Sequence, residues 1–444
     1  MKARIAWRLP DALTAFLLFA LAWTVYTLAP VTRIYDSRHA LLVSEQLYRE
    51  GNFRLDRYFP ELAPQNERGE AWAIEPSDYR LHWVHGHLYY YFPPGSSLLS
   101  VPFIPVFHLF GRSPVGADGR PFLEKEQALQ RRLAALLTAL FVVLTFALAR
   151  TVLPLSWSAF VALAMAFGTT ALSTASRGLW SHTWGILLLS AAIFVCWRWM
   201  EQGWRPLAAA LVATLLCWCF LVRPSFALSA AGIALFAALM RVRYWWLLPL
   251  VGLGWLTAFA AYSWTHLGTL LPPYFFASRL GGGSPAEALA GNLISPARGL
   301  LIFTPGLLCW IYFAVRYSRS SPWRHWMALA ASLVAAHWLL ISNFPHWWGG
   351  HSFGPRLMTD VLPWLALLGV LATRAWLDGQ PGKRRRLELA ALLLLWGISA
   401  AIHFSGALSF ETQRWNVHPV NLDQHPERLW DWTDPQFLRP LKKR

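Results

Sequence analysis

The sequence predicts an all-α, polytopic membrane protein of about eleven transmembrane helices. Three observations carry this. Of the 444 residues, 56% are hydrophobic and only 14% are charged, whereas about 25% charged is usual in soluble domains. Several apolar runs reach the roughly 20 residues that a helix needs to span a bilayer. Those runs are continuous rather than alternating, which excludes the strands of a membrane barrel, the other structure that lipid permits.

In order, the spans are 11–30, 133–153, 157–175, 183–200, 206–222, 226–240, 244–264, 299–316, 326–342, 357–375 and 387–405. Lys2, Arg4 and Arg8 precede a first run too long for the apolar core of a signal peptide, so it reads as an uncleaved span. The stretch 93–110 is apolar but carries Pro93, Pro94, Pro102 and Pro105, which break helical hydrogen bonds. It reads as an interfacial or re-entrant hairpin.

With that stretch not crossing, one set of loops collects Lys2, Arg4, Arg8, Arg150, Arg198, Arg205, Arg241, Arg243, Arg316, Arg319, Arg324, Arg374, Lys383, Arg384, Arg385 and Arg386. The opposite short loops hold only Arg177, Arg223, Arg279, Arg298 and Arg356. The positive-inside rule puts the first set in the cytoplasm. The N-terminus is then cytoplasmic and the C-terminus external. Residues 1–405 form one transmembrane domain, whose first external loop, 31–131, carries juxtamembrane helices and the hairpin. Residues 406–444 form an external tail expected to fold back on that face.

The net charge of +16 would suggest nucleic acid in a soluble protein. Here the cations flank spans, so membrane lipid headgroups are the partners and nucleic acid is not. Cys196, Cys217, Cys219 and Cys309 all lie in apolar runs. Cys217 and Cys219 point to different faces of a helix and make a poor metal pair.

The external side gathers 31–131, 176–182, 266–298, 343–356 and the tail, with histidines, tryptophans and isolated arginines. Chemistry belongs there. Asp36, just past the first span, is either an interfacial acid ending a helix or a general base. Arg38 and His39 follow it directly. His85 and His87 could pair on a strand around a metal, but no acid or cysteine is spaced as a zinc site demands. The aromatic run after them packs on the membrane surface or stacks on a sugar ring. Arg177, Arg223 and Arg356 either snorkel to headgroups or bind phosphate as planar forks. Arg356 has the stronger case, because Gly349, Gly350, Gly354 and Pro355 shape a tight turn around it. His182 and His351 stand in the same external turns.

At these residues the chain resembles the GT-C superfamily of membrane glycosyltransferases, which includes protein O-mannosyltransferases and aminoarabinose transferases. Tyr35-Asp36-Ser37-Arg38-His39 through Glu50-Gly51-Asn52-Phe53 is similar to that family's acid after the first span, with Ser37 in place of the second acid. Tyr91-Phe92-Pro93-Pro94-Gly95 resembles its proline pair, and Ser176-Arg177 its arginine turn, with His182 where an acid is often found. Trp347-Trp348-Gly349-Gly350 through Gly354-Pro355-Arg356 resembles a turn of bacterial members.

The resemblance implies an enzyme of the bacterial cytoplasmic (inner) membrane that takes a polyprenyl-phosphate-linked sugar and delivers it to a glycan, lipid or protein acceptor outside. In that reading Asp36 is the catalytic base. Arg38, His39, His85, His87, Arg177, His182, His351 and Arg356 bind substrate, and no cofactor or metal is needed, since arginine does the cation's work. Two alternatives stay open. A lipid or glycan transporter would carry charges at mid-span, and these spans have almost none. A non-catalytic partner on the same scaffold is separated by an activity assay.

Overall fold

The computed structural model describes residues 8–62, 78–203, 205–281, 283–379 and 382–442. Lys2 and Arg4, on which part of the orientation argument rests, lie outside the described residues. The chain opens with α1 (Leu9–Leu28) and a short helix α2 (Ala40–Glu50). A hairpin of β1 (Leu81–Val84) and β2 (His87–Tyr90) follows, then two short helices, α3 (Gly95–Ser100) and α4 (Phe103–Leu109). The bundle continues with α5 (Leu123–Arg150), α6 (Leu155–Phe167), α7 (Thr170–Ser173), α8 (Ser181–Gln202), α9 (Pro206–Val222), α10 (Ala227–Leu239) and α11 (Leu247–Leu267). After α12 (Pro285–Ile294) and α13 (Leu300–Phe303) come α14 (Gly306–Tyr317), α15 (Arg324–Ile341), α16 (Leu362–Asp378), α17 (Lys383–Leu408) and the single turn α18 (Glu411–Arg414).

Every predicted span is helical, and seven of these helices meet the length and apolarity of a crossing on their own. Among the described residues, Leu9–Leu28, Leu123–Arg150, Leu155–Ser173, Ser181–Met200, Leu247–Leu267, Arg356–Asp378 and Lys383–Leu408 are long and apolar enough to cross a bilayer. Pro206–Val222, Pro224–Leu239 and Gly306–Tyr317 are apolar but shorter, and α15 carries Arg324, His325 and His337. The stretch 93–110 forms α3 and α4, of 6 and 7 residues, neither long enough to cross.

The boundaries follow from the local sequence. Asp11 accepts a hydrogen bond from the Arg8 backbone N–H at 3.1 Å, opening α1. The helix stops at Ala29, whose extended backbone is what the following Pro30 demands. The hairpin departs from the all-α expectation. His85 and Gly86 both have positive φ, 49° and 77°, the two-residue turn whose twist matches paired strands.

The span Arg356–Asp378 is the axis of the bundle, with 94% of its apolar window buried, against 17% for Leu247–Leu267 on the rim. The axial helix packs on α5, α6, α8, α14 and α15. The loops sort to two ends, as alternating spans require. Arg150 with Asp11, Arg374 with Asp378 and Arg385 with Leu377 lie at one. The link 29–39, the hairpin, the 343–356 loop and the tail gather at the other. There Arg298 ties the 343–356 loop to the tail, donating to Trp348 O, Gly350 O, Asn416 Oδ1 and Gln436 Oε1. The tail does fold back onto that end.

Candidate functional site

The link between α1 and α2 sets Asp36 in place. Arg33 is fully buried; its Nη2 donates to Gly406 O at 3.0 Å and Thr412 Oγ1 at 2.9 Å. Gln130 Nε2 donates to Ser37 O at 2.7 Å. Arg80 Nε donates to Tyr35 O and the Tyr90 hydroxyl to Asp36 O, both at 2.5 Å. The backbone around Asp36 is therefore gripped from the bundle, the tail and the hairpin. A held backbone fixes where the carboxylate points.

That carboxylate lines a cavity of about 370 Å³, shared with Ser37, Trp180, Ser181, Arg223 and Tyr274. Oδ1 accepts the Tyr79 hydroxyl at 3.0 Å and Oδ2 accepts Arg356 Nη1 at 3.1 Å. Burial, and then the Asp36 charge, push the Tyr79 hydroxyl above its ordinary range, so it remains a donor. Arg356 lies over the Trp180 ring at 4.4 Å, and its Nε is buried without a partner. A side chain at Gly349 (φ 70°) would come within 3.2 Å of that Nε. Only glycine tolerates both the conformation and the close approach.

Behind the cavity sits a carboxylate that the reading of the sequence passed over. Asp360, 2% exposed, accepts His182 Nδ1 at 2.6 Å on Oδ1. Its Oδ2 accepts Arg223 Nε and Ser225 Oγ, each at 2.8 Å. Arg223 Nη1 continues to Ser181 Oγ at 3.1 Å. One signal was available: an acid inside an apolar run is a functional-site hypothesis by default. Its partners lie 135 to 178 residues away, and no local pattern joins them.

Of the predicted substrate-binding residues, only Arg356 joins Asp36. Arg177 is fully buried. It donates to Ala29 O at 2.9 Å and to Tyr26 O, so it closes the last turn of α1 rather than reaching substrate. His182 is likewise sealed off behind Asp360. His39 starts α2 and pairs with Asp78 at 2.9 Å. Arg38, though two residues from Asp36, does not line its cavity. His85 occupies the exposed hairpin turn, and His87 pairs with Asp56 at 3.3 Å. They share no third ligand among the described residues. His351 bonds Asn421 at 2.9 Å, holding the tail. Tyr90 and Arg223 line the Asp36 cavity, and Tyr79 bonds the Asp36 carboxylate.

A second cavity, of about 530 Å³, adjoins the first and shares Tyr90 and Phe92 with it. Phe53, Tyr89, Tyr91 and Tyr262 complete an aromatic lining that realises the aromatic run read from the sequence.

No family model matches the chain. No curated protein matches it in sequence. Solved structures do match. ArnT from Cupriavidus metallidurans bound to undecaprenyl phosphate superposes with a TM-score of 0.51 at 12% identity, over 90% of this chain and 70% of that one. The apo state of the same protein gives 0.49 at 13% identity, over 92% and 80%. The Archaeoglobus fulgidus oligosaccharyltransferase in its apo form gives 0.49 at 12% identity, over 96% and 60%. The chain shares the helical fold of that undecaprenyl-phosphate-bound ArnT structure.

Proposed function

We propose that this protein is a membrane glycosyltransferase that moves a sugar from a polyprenyl-phosphate donor to an acceptor hydroxyl on the external face, inverting the anomeric centre. The single observation that carries the reading is Asp36. It is a carboxylate at the mouth of a cavity, bonded to one arginine and facing a second. The fold supports it, and the ArnT structure with that fold was solved with undecaprenyl phosphate.

In this mechanism the acceptor O–H gives its proton to Asp36 while the acceptor oxygen bonds the anomeric carbon. The bond from that carbon to the phosphate oxygen breaks, and the phosphate leaves with the electron pair. Arg356 is at first held by Asp36. A phosphate gaining charge offers the guanidinium a bidentate partner, draws it off the carboxylate and frees Oδ2 for the proton. Cationic stabilisation of a leaving group in a low-dielectric site is a large catalytic term.

The test is sugar transfer from a synthetic polyprenyl-phosphate sugar to membrane acceptors by the purified full chain. Transfer supports the reading. Donor binding without transfer overturns it in favour of a transporter or a non-catalytic partner on the same scaffold.

A further inference from the structure

Two arginines meet the cavity's residues, Arg356 through Asp36 and Arg223 by lining it, and they are held in opposite ways. Arg356 is paired with Asp36, the group that must be released for chemistry. Arg223 is paired with Asp360, a buried carboxylate on the axial span. Asp360 is itself pinned by His182 and Ser225. Arg223 Nε and Nη1 are taken by Asp360 and Ser181. Nη2 has no protein partner among the described residues and is not sealed from the cavity the residue lines. Ser181 opens α8, and both it and Trp180 line the same cavity, so the positive end of a 22-residue helix faces it too.

We propose that Arg223 is the fixed anion site of this cavity, taking the phosphate of a lipid-linked phosphate ester, and that Asp360 is its positioning residue. This rests on the glycosyltransferase reading and deepens it, since it divides the work of the two cations. Arg223 binds the phosphate through its free Nη2 before, during and after transfer. Arg356 shifts between Asp36 and the phosphate. A guanidinium suits the first task because it satisfies a buried carboxylate with one nitrogen and an anion with another. Asp360, fully buried and bonded on both oxygens, removes Arg223's freedom to turn away. Such preorganisation costs no rearrangement at the moment of reaction.

The experiment compares binding of farnesyl phosphate, farnesol and inorganic phosphate to the full chain in lipid nanodiscs. It uses wild type, Arg223→Lys and Asp360→Asn, with melting temperature recorded for each. Wild type is expected to prefer farnesyl phosphate to farnesol, and a preference for neither overturns the glycosyltransferase reading together with this one. Arg223→Lys keeps the charge but cannot serve Asp360 and phosphate at once. It is expected to lower the phosphate-over-alcohol preference at least tenfold, with farnesol binding unchanged. An unchanged preference in a folded Arg223→Lys protein overturns this inference alone. Inorganic phosphate competing as well as farnesyl phosphate overturns the lipid-linked source. Asp360→Asn leaves Arg223 its charge but loosens its aim, so farnesyl phosphate binding is retained within about threefold while sugar transfer falls at least tenfold. Loss of binding and of melting temperature together would make Asp360 structural only. The double variant Arg223→Met/Asp360→Asn removes both charges of the pair, the change buried pairs tolerate best. It is expected to fold and to bind farnesyl phosphate no better than farnesol.

Discussion

Arg356 Nη1 donates to Asp36 Oδ2 at 3.1 Å across 320 residues of sequence. The pair joins the first polar link of the chain to the turn that opens its axial helix. A carboxylate held this way is not a free base, and an arginine held this way is not a free phosphate ligand. Each is made available by moving the other, and in the proposed mechanism this ties proton removal to donor entry.

Asp36→Asn keeps the shape and still accepts from Tyr79 and Arg356, but it cannot take a proton. Transfer is expected to fall by about 10²–10⁴-fold, the usual cost of losing a general base. Donor binding stays the same or tightens, since Arg356 loses its competitor. Donor affinity measured beside transfer checks this, and transfer near wild type would reduce Asp36 to an interfacial acid.

At Arg356 the two variants separate charge from shape. Arg356→Lys retains a point charge beside Asp36 but loses the fork and most of the stacking on Trp180. Donor affinity is expected to fall in Arg356→Lys and further in Arg356→Ala. Equal, wild-type affinity in both would take Arg356 out of the site.

Arg177 should behave as a structural residue. Arg177→Met leaves the carbonyls of Tyr26 and Ala29 without their donor. Losing hydrogen bonds to a buried charged group costs about 1.5–3 kcal/mol each, so the melting temperature in detergent is expected to drop clearly. Donor affinity of the folded fraction should match wild type; a selective loss of affinity at unchanged melting temperature would return Arg177 to the substrate.

Burial raises the Asp78 carboxyl, but hydrogen bonds from His39 and Arg80 outweigh it and hold it well below the usual carboxylate range. A lowered folded-state pKa contributes stability above the unfolded value of about 3.9, and that stability is lost as pH falls below it. Hydrogen-exchange protection over 81–90, taken relative to the intrinsic exchange rate at each pH, should therefore fall below about pH 4 in wild type. Asp78→Asn, lacking the titration, is expected to exchange faster at neutral pH and to show less further change on acidification.

Orientation is checked by reporters. One fused after Arg444 is expected to report the external side, and one inserted at Lys383–Arg386 the cytoplasm. A cytoplasmic C-terminal reporter would mean that the crossings were miscounted, and it would put Asp36 on the wrong side for an external donor.

The sequence alone determined that the chain is a helical membrane bundle, because span length and apolar continuity are local properties that lipid enforces. It singled out Asp36 and the glycine turn before Arg356 for the same reason, since a charge at a span's edge and a run of glycines are visible without neighbours. Which arginine stands beside Asp36 was decided only by the tertiary structure. Arg177, Arg223 and Arg356 look alike in sequence, each isolated near the end of an apolar run. Folding buries the first against backbone carbonyls, anchors the second on Asp360 and sets the third on Asp36. His182 and His39 were displaced from the site by partners far away in the chain, Asp360 and Asp78. A buried charge goes where it can be paired, and pairing across a bundle depends on which helices lie side by side, a relation that no stretch of sequence contains.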